Sequence, residues 1–378
     1  MTAPDPRPHV VIAWVERAVD GTAAAQHLKG TIARIEAISE VRLTKVIADT
    51  ESPDGVEPIA QKMRRIARLN FLTAKAARRG RVLIVRHHPL LLPALLYWRL
   101  RGGRVVSSIQ GSLDDLANEY PRLGKAKLLR RISIATARCA HVVLAGAPVI
   151  VDHIRSEIVA ESTPIIPLAN GVFVDELADA AREPARLDGA YAVFVGNLAA
   201  WQGVDVMARA VQHEAWPAGV PLVVVGDGVE KHLLEGIPGV MLMGRLPSRD
   251  AAVWYAHATC ALSMKKSTGA VGQHGYWPFK LIESAAVGVP IVCSDARGMR
   301  EAAERLGNGV VVPANDEAAC AKAVRDLVTN PSLRDKLAAT GRNSAASFDW
   351  SAGAPTLRRA IRLAQGEMRH IPEQPATK

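Results

Sequence analysis

Pro278-Phe279-Lys280-Leu281-Ile282-Glu283-Ser284-Ala285-Ala286-Val287-Gly288-Val289-Pro290-Ile291-Val292 reads as a helix that begins behind a proline, stops at a glycine and hands over to a buried strand. Pro278 has a fixed φ and no N–H to lose, so it suits the edge of a first turn. Gly288 is a natural C-terminal stop. The apolar run that follows is short, and short continuous apolar runs fit strands covered on both faces. A helix feeding a buried strand is half of a repeating βα unit, so more of the same is expected on either side.

The rest of the chain supplies it. Strands are expected at Val10–Val15, Arg42–Ile47, Val82–Arg86, Arg104–Ile109, Val142–Ala145 and Pro164–Pro167. After a polar, Pro-containing stretch at Ala180–Gly189 a second series is expected: Ala192–Gly196, Pro221–Gly226, Val240–Met243, Cys260–Met264, Pro290–Cys293 and Gly309–Pro313. Helices fill the gaps, notably Ile59–Arg79, Ala126–Ala137, Glu317–Thr329, Ser332–Ala346 and Ala352–Met368. Strands alternating with helices predict an α/β fold with parallel sheets. At 378 residues the chain is long for one domain and comfortable for two. The expected division is 1–180, then 190–350, with 351–378 as a closing helix that returns toward the first lobe and a frayed, Pro-rich tail from His370. Two doubly wound, Rossmann-like domains would face each other across a cleft, with ligands beyond the carboxyl ends of the strands.

Composition narrows the classes. The four cysteines, Cys139, Cys260, Cys293 and Cys320, are far apart and form no C-x-x-C pair, which fits neither a disulfide framework nor a zinc site. Val10–Val15 is too short for a signal-peptide core, and Pro89–Trp98 is too short to span a membrane. A cytoplasmic location is expected. The formal charge is +10, and residues 1–161 carry all of it, with 25 Lys and Arg against 15 Asp and Glu. A one-sided basic surface favours an anionic partner; a solvated basic surface is the other reading.

The opening stretch also carries chemistry. The first turn of its helix leaves backbone N–H groups at Phe279 to Leu281 without helical partners, which makes a diphosphate site, and Lys280 adds a positive charge there. Glu283, one turn in, can accept two hydrogen bonds from the vicinal hydroxyls of a ribose. Read singly, it is better explained as a first-turn Glu that stabilises the helix dipole.

In order along the chain come Pro167-Leu168-Ala169-Asn170-Gly171-Val172, Phe194-Val195-Gly196 followed by Trp201-Gln202-Gly203-Val204-Asp205, Val224-Val225-Gly226-Asp227-Gly228, Val240-Met241-Leu242-Met243-Gly244-Arg245-Leu246, Tyr255-Ala256-His257-Ala258, the P-F-K-L-I-E segment, and Ser294-Asp295. In these motifs and their spacing the chain resembles the retaining nucleotide-sugar glycosyltransferases of GT-B fold, in particular the large family four. The resemblance is dense over roughly 167–345 and loose before it. It implies that Glu283 holds the donor ribose and that Phe279, Lys280 and Leu281 bind the diphosphate. It implies that Gly244, Arg245 and Leu246 contact the base and that Gly196 faces the diphosphate. Asp20-Gly21-Thr22 is the counterpart of the first lobe's glycine loop, where Gly21 approaches the donor or is an ordinary turn glycine.

Four positions depart from the family pattern. Gly275 stands where many members have a Glu eight residues before the ribose Glu, Asn197 and Gln202 where many have an Arg and a Lys, and Gln110 where many have a His. They fit a subgroup in which P-x-K-L-x-E replaces the two-Glu motif and Lys280 supplies the diphosphate charge; loss of catalysis is the alternative. Lys265 and Lys266 read as surface lysines or as further charge.

The expected reaction is retaining transfer of a sugar from a UDP- or GDP-sugar to an acceptor hydroxyl, by front-face attack, since no carboxylate stands out as a nucleophile. Lys280, Glu283 and His88 make up the expected catalytic set. His87, His88 and Gln110 are the expected acceptor-side residues of the first lobe, with a polar loop at a strand end as the other reading. No cofactor and no metal are expected: the nucleotide-sugar is a substrate, and helix amides with Lys280 would stabilise the leaving diphosphate. Two basic, aliphatic-rich stretches, Lys62–Arg79 and Arg122–Ile132, fit interfacial helices on anionic lipid or core-packing helices with solvated cationic faces. The expected partners are therefore a nucleotide-sugar donor, a glycan or lipid-linked acceptor of an envelope or exopolysaccharide pathway, and the inner face of the plasma membrane as a peripheral surface. Nucleic acid is not expected. The competing readings are an isomerase of the nucleotide-sugar 2-epimerase kind and a catalytically silent nucleotide-sugar binder. A dehydrogenase is disfavoured, because no G-x-G-x-x-G follows the first strand.

Overall fold

The computed structural model describes residues 8–47, 57–78, 80–111, 126–158, 162–266 and 277–368. Arg79, residues 122–125, Gly275 and the tail from His370 lie outside the described residues. The chain clusters into two compact units. One comprises residues 1–18, 31–169 and 353–378; the other comprises 19–30 and 170–352.

The first unit holds β1 (His9–Trp14), β2 (Arg42–Ile47), β3 (Val82–Arg86), β4 (Arg104–Ile109), β5 (Val142–Ala145) and β6 (Ile165–Pro167). They form one sheet in the order β2-β1-β3-β4-β5-β6, with every pair parallel. These are the β-branched runs read from the sequence, and β3 and β5 are buried almost end to end because helices cover both faces. The helices are α1 (Ala23–Glu36), whose first half counts with the second unit, then α2 (Ile59–Lys75), α3 (Leu92–Leu100), α4 (Ala126–Ala137) and α5 (Val151–Ile158). Val11, Leu83, Val85, Leu95, Trp98 and Val105 form the core between sheet and helices. Trp98 is fully buried and satisfies its indole by donating to the Arg104 carbonyl at 3.0 Å. The strand order reverses between β1 and β3, so the crevice of this sheet opens beyond their carboxyl ends.

In the second unit α6 (Val174–Arg182) leads into β7 (Ala192–Val195), α7 (Val204–Gln212), β8 (Leu222–Val225), β9 (Val240–Gly244), α8 (Ser248–Ala256), β10 (Cys260–Ser263), α9 (Phe279–Val287), β11 (Ile291–Ser294), α10 (Met299–Leu306), β12 (Gly309–Val312), α11 (Glu317–Thr329) and α12 (Pro331–Ala345). The last helix, α13 (Ala354–Gln365), belongs to the first unit and packs on β4 and β5. The second sheet runs β12-β11-β10-β7-β8-β9, again all parallel. Its order reverses between β7 and β10, which places the ends of those two strands at its crevice. Phe194, Val224, Leu262, Val292 and Leu327 are fully buried in its core. Each such side chain contributes about 1.5–3 kcal/mol by leaving water.

Two parallel six-stranded sheets, each layered with helices, are the architecture expected from the strand–helix alternation. The four cysteines are free and buried. Among the described residues no helix is long and apolar enough to cross a membrane. The surface reading of Lys265 is corrected: the side chain is 1% exposed, because the chain turns inward after β10. Lys266 pairs with Asp205 at 2.9 Å.

Candidate functional site

The site is built on the start of α9 in the second unit. Pro278 stays extended at φ −71° and ψ 144° and offers no capping side chain, so the first turn opens without a cap. The Leu281 amide donates to the Pro278 carbonyl at 3.3 Å, and the Leu281 side chain is buried in the core. Of the three amides expected to face a diphosphate, Leu281 is thus already engaged. Phe279 and Lys280 keep first-turn N–H groups for which no backbone carbonyl among the described residues is an acceptor.

Lys280 does not reach into solvent. It is 8% exposed, and its Nζ donates to Oε1 of Gln202 at 2.9 Å and lies 4.6 Å from the centre of the Phe194 ring. Its backbone carbonyl accepts from the Tyr255 hydroxyl at 2.9 Å, which pins the helix start to α8. Gly196, at the end of β7, leaves room for this arrangement. A Cβ there would stand 2.9 Å from both Cε and Nζ of Lys280, and the residue holds φ at +147°, where side chains are rarely tolerated. The structure therefore brings together three residues picked from the sequence: Gly196, Gln202 and Lys280.

Glu283, one turn further, accepts from Nε2 of Gln26 at 3.2 Å. Burial disfavours both charges. It pushes the Glu283 carboxyl up to about 7, against the pull of Lys280 and Gln26. It pushes the Lys280 ammonium down to about 8, against the attraction of Glu283. Glu283 keeps part of its surface accessible, yet protein surrounds its carboxylate closely enough to raise it. An acceptor carboxylate and a buried cation one turn apart on one helix can grip a hydroxylated ring and an oxyanion at once.

The segment before α9's partner Gln26 is equally ordered. Asp20 accepts from the Ser248 hydroxyl at 2.7 Å and from the Ser248 amide at 3.2 Å at the start of α8, and the Gly21 amide donates back to Ser248 Oγ at 3.1 Å. These bonds hold the Asp20 carboxyl below its ordinary value. Gly21 sits at φ +78°, and a Cβ there would meet the Leu246 carbonyl at 2.9 Å. Gly21 and Leu246, both expected near the donor, thus touch. Gly244 ends β9 and accepts from the Gly226 amide at 2.8 Å, while Arg245 and Asn197 are exposed.

The first-unit residues stand at the carboxyl ends of β3 and β4. His87 hydrogen-bonds Ser133 Oγ through Nε2 at 2.9 Å, and burial pushes it down to about 3. His88 accepts the Leu90 amide at 3.3 Å through Nδ1, capping a short 3-10 turn at Pro89–Leu91. Burial, aided by Lys62, Arg65 and Arg86, pushes it down to about 4, so it is neutral near pH 7 with one ring nitrogen committed to structure. Gln110 donates to Ser108 Oγ at 2.7 Å; its buried Oε1 has no hydrogen-bond partner among the described residues.

Two participants escaped the sequence reading. Gln26 lies 257 residues from Glu283, and its only signal is a polar Gln-His pair in an otherwise Ala-rich helix start. Phe194 lies in β7, and nothing local in the sequence marks it as the ring beneath Lys280.

Residues 189–330, most of the second unit, match the family model of group 1 glycosyl transferases. Along 315 residues the chain is 28% identical to the phosphatidyl-myo-inositol mannosyltransferase of Mycobacterium leprae, covering 78% of each chain. Its fold matches the sucrose-phosphate synthase of Thermosynechococcus elongatus with a TM-score of 0.73 at 17% identity, over 96% of this chain and 100% of that one. It matches Anabaena HepE, solved in complex with UDP and glucose, with a TM-score of 0.70 at 12% identity, over 94% of this chain and 99% of that one. A group 1 domain set in one of two parallel six-stranded units, in a chain that aligns with a mannosyltransferase over most of its length, makes this protein a transferase enzyme: a GT-B glycosyltransferase similar to family four.

Proposed function

We propose that the enzyme is a retaining glycosyltransferase that moves a sugar from a UDP- or GDP-sugar to an acceptor hydroxyl on a lipid-linked or envelope glycan. The observation that carries this reading is the pairing of Lys280 and Glu283 at the uncapped start of α9, each held by a glutamine. The diphosphate of the donor would sit on the first-turn amides of Phe279 and Lys280, with the Lys280 ammonium stabilising the charge that grows as the glycosidic bond breaks. Glu283 would accept from the two ribose hydroxyls. The base would lie against Gly244–Leu246. The acceptor hydroxyl would attack from the face the leaving group departs, with its proton passing to the departing phosphate oxygen.

No resident metal or cofactor is part of this reading. The subgroup reading of P-x-K-L-x-E is favoured by Gln202: where a family lysine would stand, an amide receives the Lys280 ammonium instead. HepE, crystallised with UDP and glucose, favours a UDP-sugar, and a relative named for phosphatidyl-myo-inositol favours an acceptor at a membrane surface. A peripheral position on the inner face of the plasma membrane follows from that acceptor and from the basic first unit.

The test is incubation with a panel of nucleotide sugars and membrane-extracted acceptors, reading nucleoside diphosphate release and the anomeric configuration of the product. Retention with acceptor-dependent release supports the reading. Sugar interconversion without acceptor would make it an isomerase, and binding without turnover a silent binder. Donor affinity indifferent to Lys280→Met and Glu283→Gln would remove the site.

A further inference from the structure

Strand β7 reads Ala192, Val193, Phe194, Val195, in a chain that is only 4% aromatic. An aliphatic side chain is the ordinary filling for such a strand, yet a ring stands at its third position. Phe194 is fully buried and shares its core with Val224, Leu262 and Val292. Hydrophobic packing explains the body of the ring. It does not explain the ammonium laid over it: Lys280 Nζ lies 4.6 Å from the ring centre, well inside the range of a cation–π contact. Gly196, two residues further on, meets the same side chain. A Cβ on it would stand 2.9 Å from Lys280 Nζ and 3.8 Å from Phe194 Cζ. Glycine, ring and lysine therefore close around one another.

The ring answers a difficulty that the position creates. Burial works against an ammonium and pushes Lys280 down to about 8, while Glu283, one turn along the helix, pulls the other way. A lysine with a long flexible stem would otherwise turn its head to water or give up its proton. The Gln202 carbonyl supplies one neutral acceptor at 2.9 Å. The negative face of an aromatic ring supplies a second neutral attraction, able to favour the charged form by about tenfold or more in a desolvated site. Neutrality matters here. A carboxylate in place of the ring would cancel the charge and compete with a phosphate for it, whereas a ring and an amide hold the cation and leave its charge to act on an incoming anion.

We infer that Phe194 is a positioning residue for the transfer reaction: its ring face and the Gln202 amide together hold the Lys280 ammonium beside Gly196, aimed at the diphosphate of the donor. The inference rests on the reading of Lys280 given above, and it assigns to a core residue of β7 a part in that site.

Phenylalanine carrying one, two and then three ring fluorines, placed at position 194 alone, tests it. Fluorine drains the negative face and hardly alters the shape of the ring, so packing is kept while the attraction is lost. Calorimetry of the full chain with UDP and with GDP reads the effect. Affinity should fall stepwise with each fluorine, by about tenfold in all. In a Lys280→Met background the same series should change nothing. Phe194→Leu should lower the pH at which Lys280 titrates, followed by NMR of its labelled Cε, and should cost more affinity at pH 8 than at pH 6. Each variant is compared with the parent at the same pH, because Glu283 titrates there too, at about 7.

Affinity that ignores the fluorines while Lys280→Met weakens it would make Phe194 a packing residue and overturn the inference alone. Sensitivity to fluorine that persists in Lys280→Met would overturn it too, since the ring would then act without the ammonium. So would a Lys280 titration unmoved in Phe194→Leu. If Lys280→Met binds UDP and GDP as the parent does, or if the parent binds neither, the diphosphate reading of Lys280 fails and the inference falls with it.

Discussion

The Lys280 ammonium donates to the Gln202 side-chain carbonyl at 2.9 Å across 78 residues of sequence. That bond joins the start of α9 to the loop after β7 and fixes where the only cation of the helix's first turn points. On the proposed mechanism the cation would act where charge appears during bond cleavage, so removing it should hurt the chemical step more than binding. Lys280→Met is expected to lower kcat by about 100-fold or more, in line with the loss of one oxyanion donor. Gln202→Glu is expected to bind donor more weakly, since a carboxylate at that spot would compete with the diphosphate for the ammonium. Steady-state kinetics and calorimetric donor binding check both.

Glu283 separates affinity from stability. Its folded carboxyl stands at about 7, above the ordinary value, so the protonated form is the one folding favours. The stability this gives is complete below the ordinary carboxyl range and is lost as pH climbs through about 7. Glu283→Gln carries no such charge. At pH 8 the variant should melt no lower than the parent, while donor affinity falls by about tenfold or more from the loss of charged hydrogen bonds to the ribose. Thermal melts with and without nucleoside diphosphate measure the two effects separately.

Gln26 should reveal itself through pH. Its amide steadies the ionised form of Glu283. In Gln26→Ala the carboxyl rises further, so the pH at which donor binding is half lost moves to the alkaline side. Affinity should recover toward the parent's as pH is raised. A uniform weakening at all pH values would assign Gln26 to packing alone.

Gly196→Ala tests the close approach of β7 to the Lys280 side chain. The added methyl would meet Cε and Nζ at 2.9 Å on a backbone held at φ +147°. The neighbour that must yield is the flexible end of a lysine, so the fold should survive and the ammonium should move. Expected are a kcat reduced by about tenfold and a melting temperature lowered by a few degrees, on the scale of about 1 kcal/mol.

Much of this was legible along the chain. Most strands are legible as short β-branched runs, and β10 as a short apolar one, because a strand covered on both faces has little choice of residue. The helix start at Phe279 was legible from Pro278 and the stop from Gly288. What could not be read was which distant residue completes a local one. Lys280 needs Gln202, and Glu283 needs Gln26, and both partners come from other βα turns. Lys265 was misjudged for the same reason: a lysine pair in sequence looks solvated, and only the inward turn after β10 shows one of them buried. His88 read as a catalytic candidate from its place at a strand end, whereas its Nδ1 is occupied in capping the next turn.

Neither unit is written as one uninterrupted stretch of the chain. The first is closed by α13 from beyond residue 353, and the second contains residues 19–30, Gln26 among them. On the ribosome the strands of the first sheet would therefore emerge long before the helix that covers β4 and β5, leaving apolar surface open until the chain has been made beyond residue 353. A fragment beginning at Asn170 would carry the whole group 1 domain and still lack the amide that steadies Glu283. Gene dissection at the apparent midpoint should thus yield a nucleotide-binding piece with a displaced pH response, and a companion piece that needs chaperones.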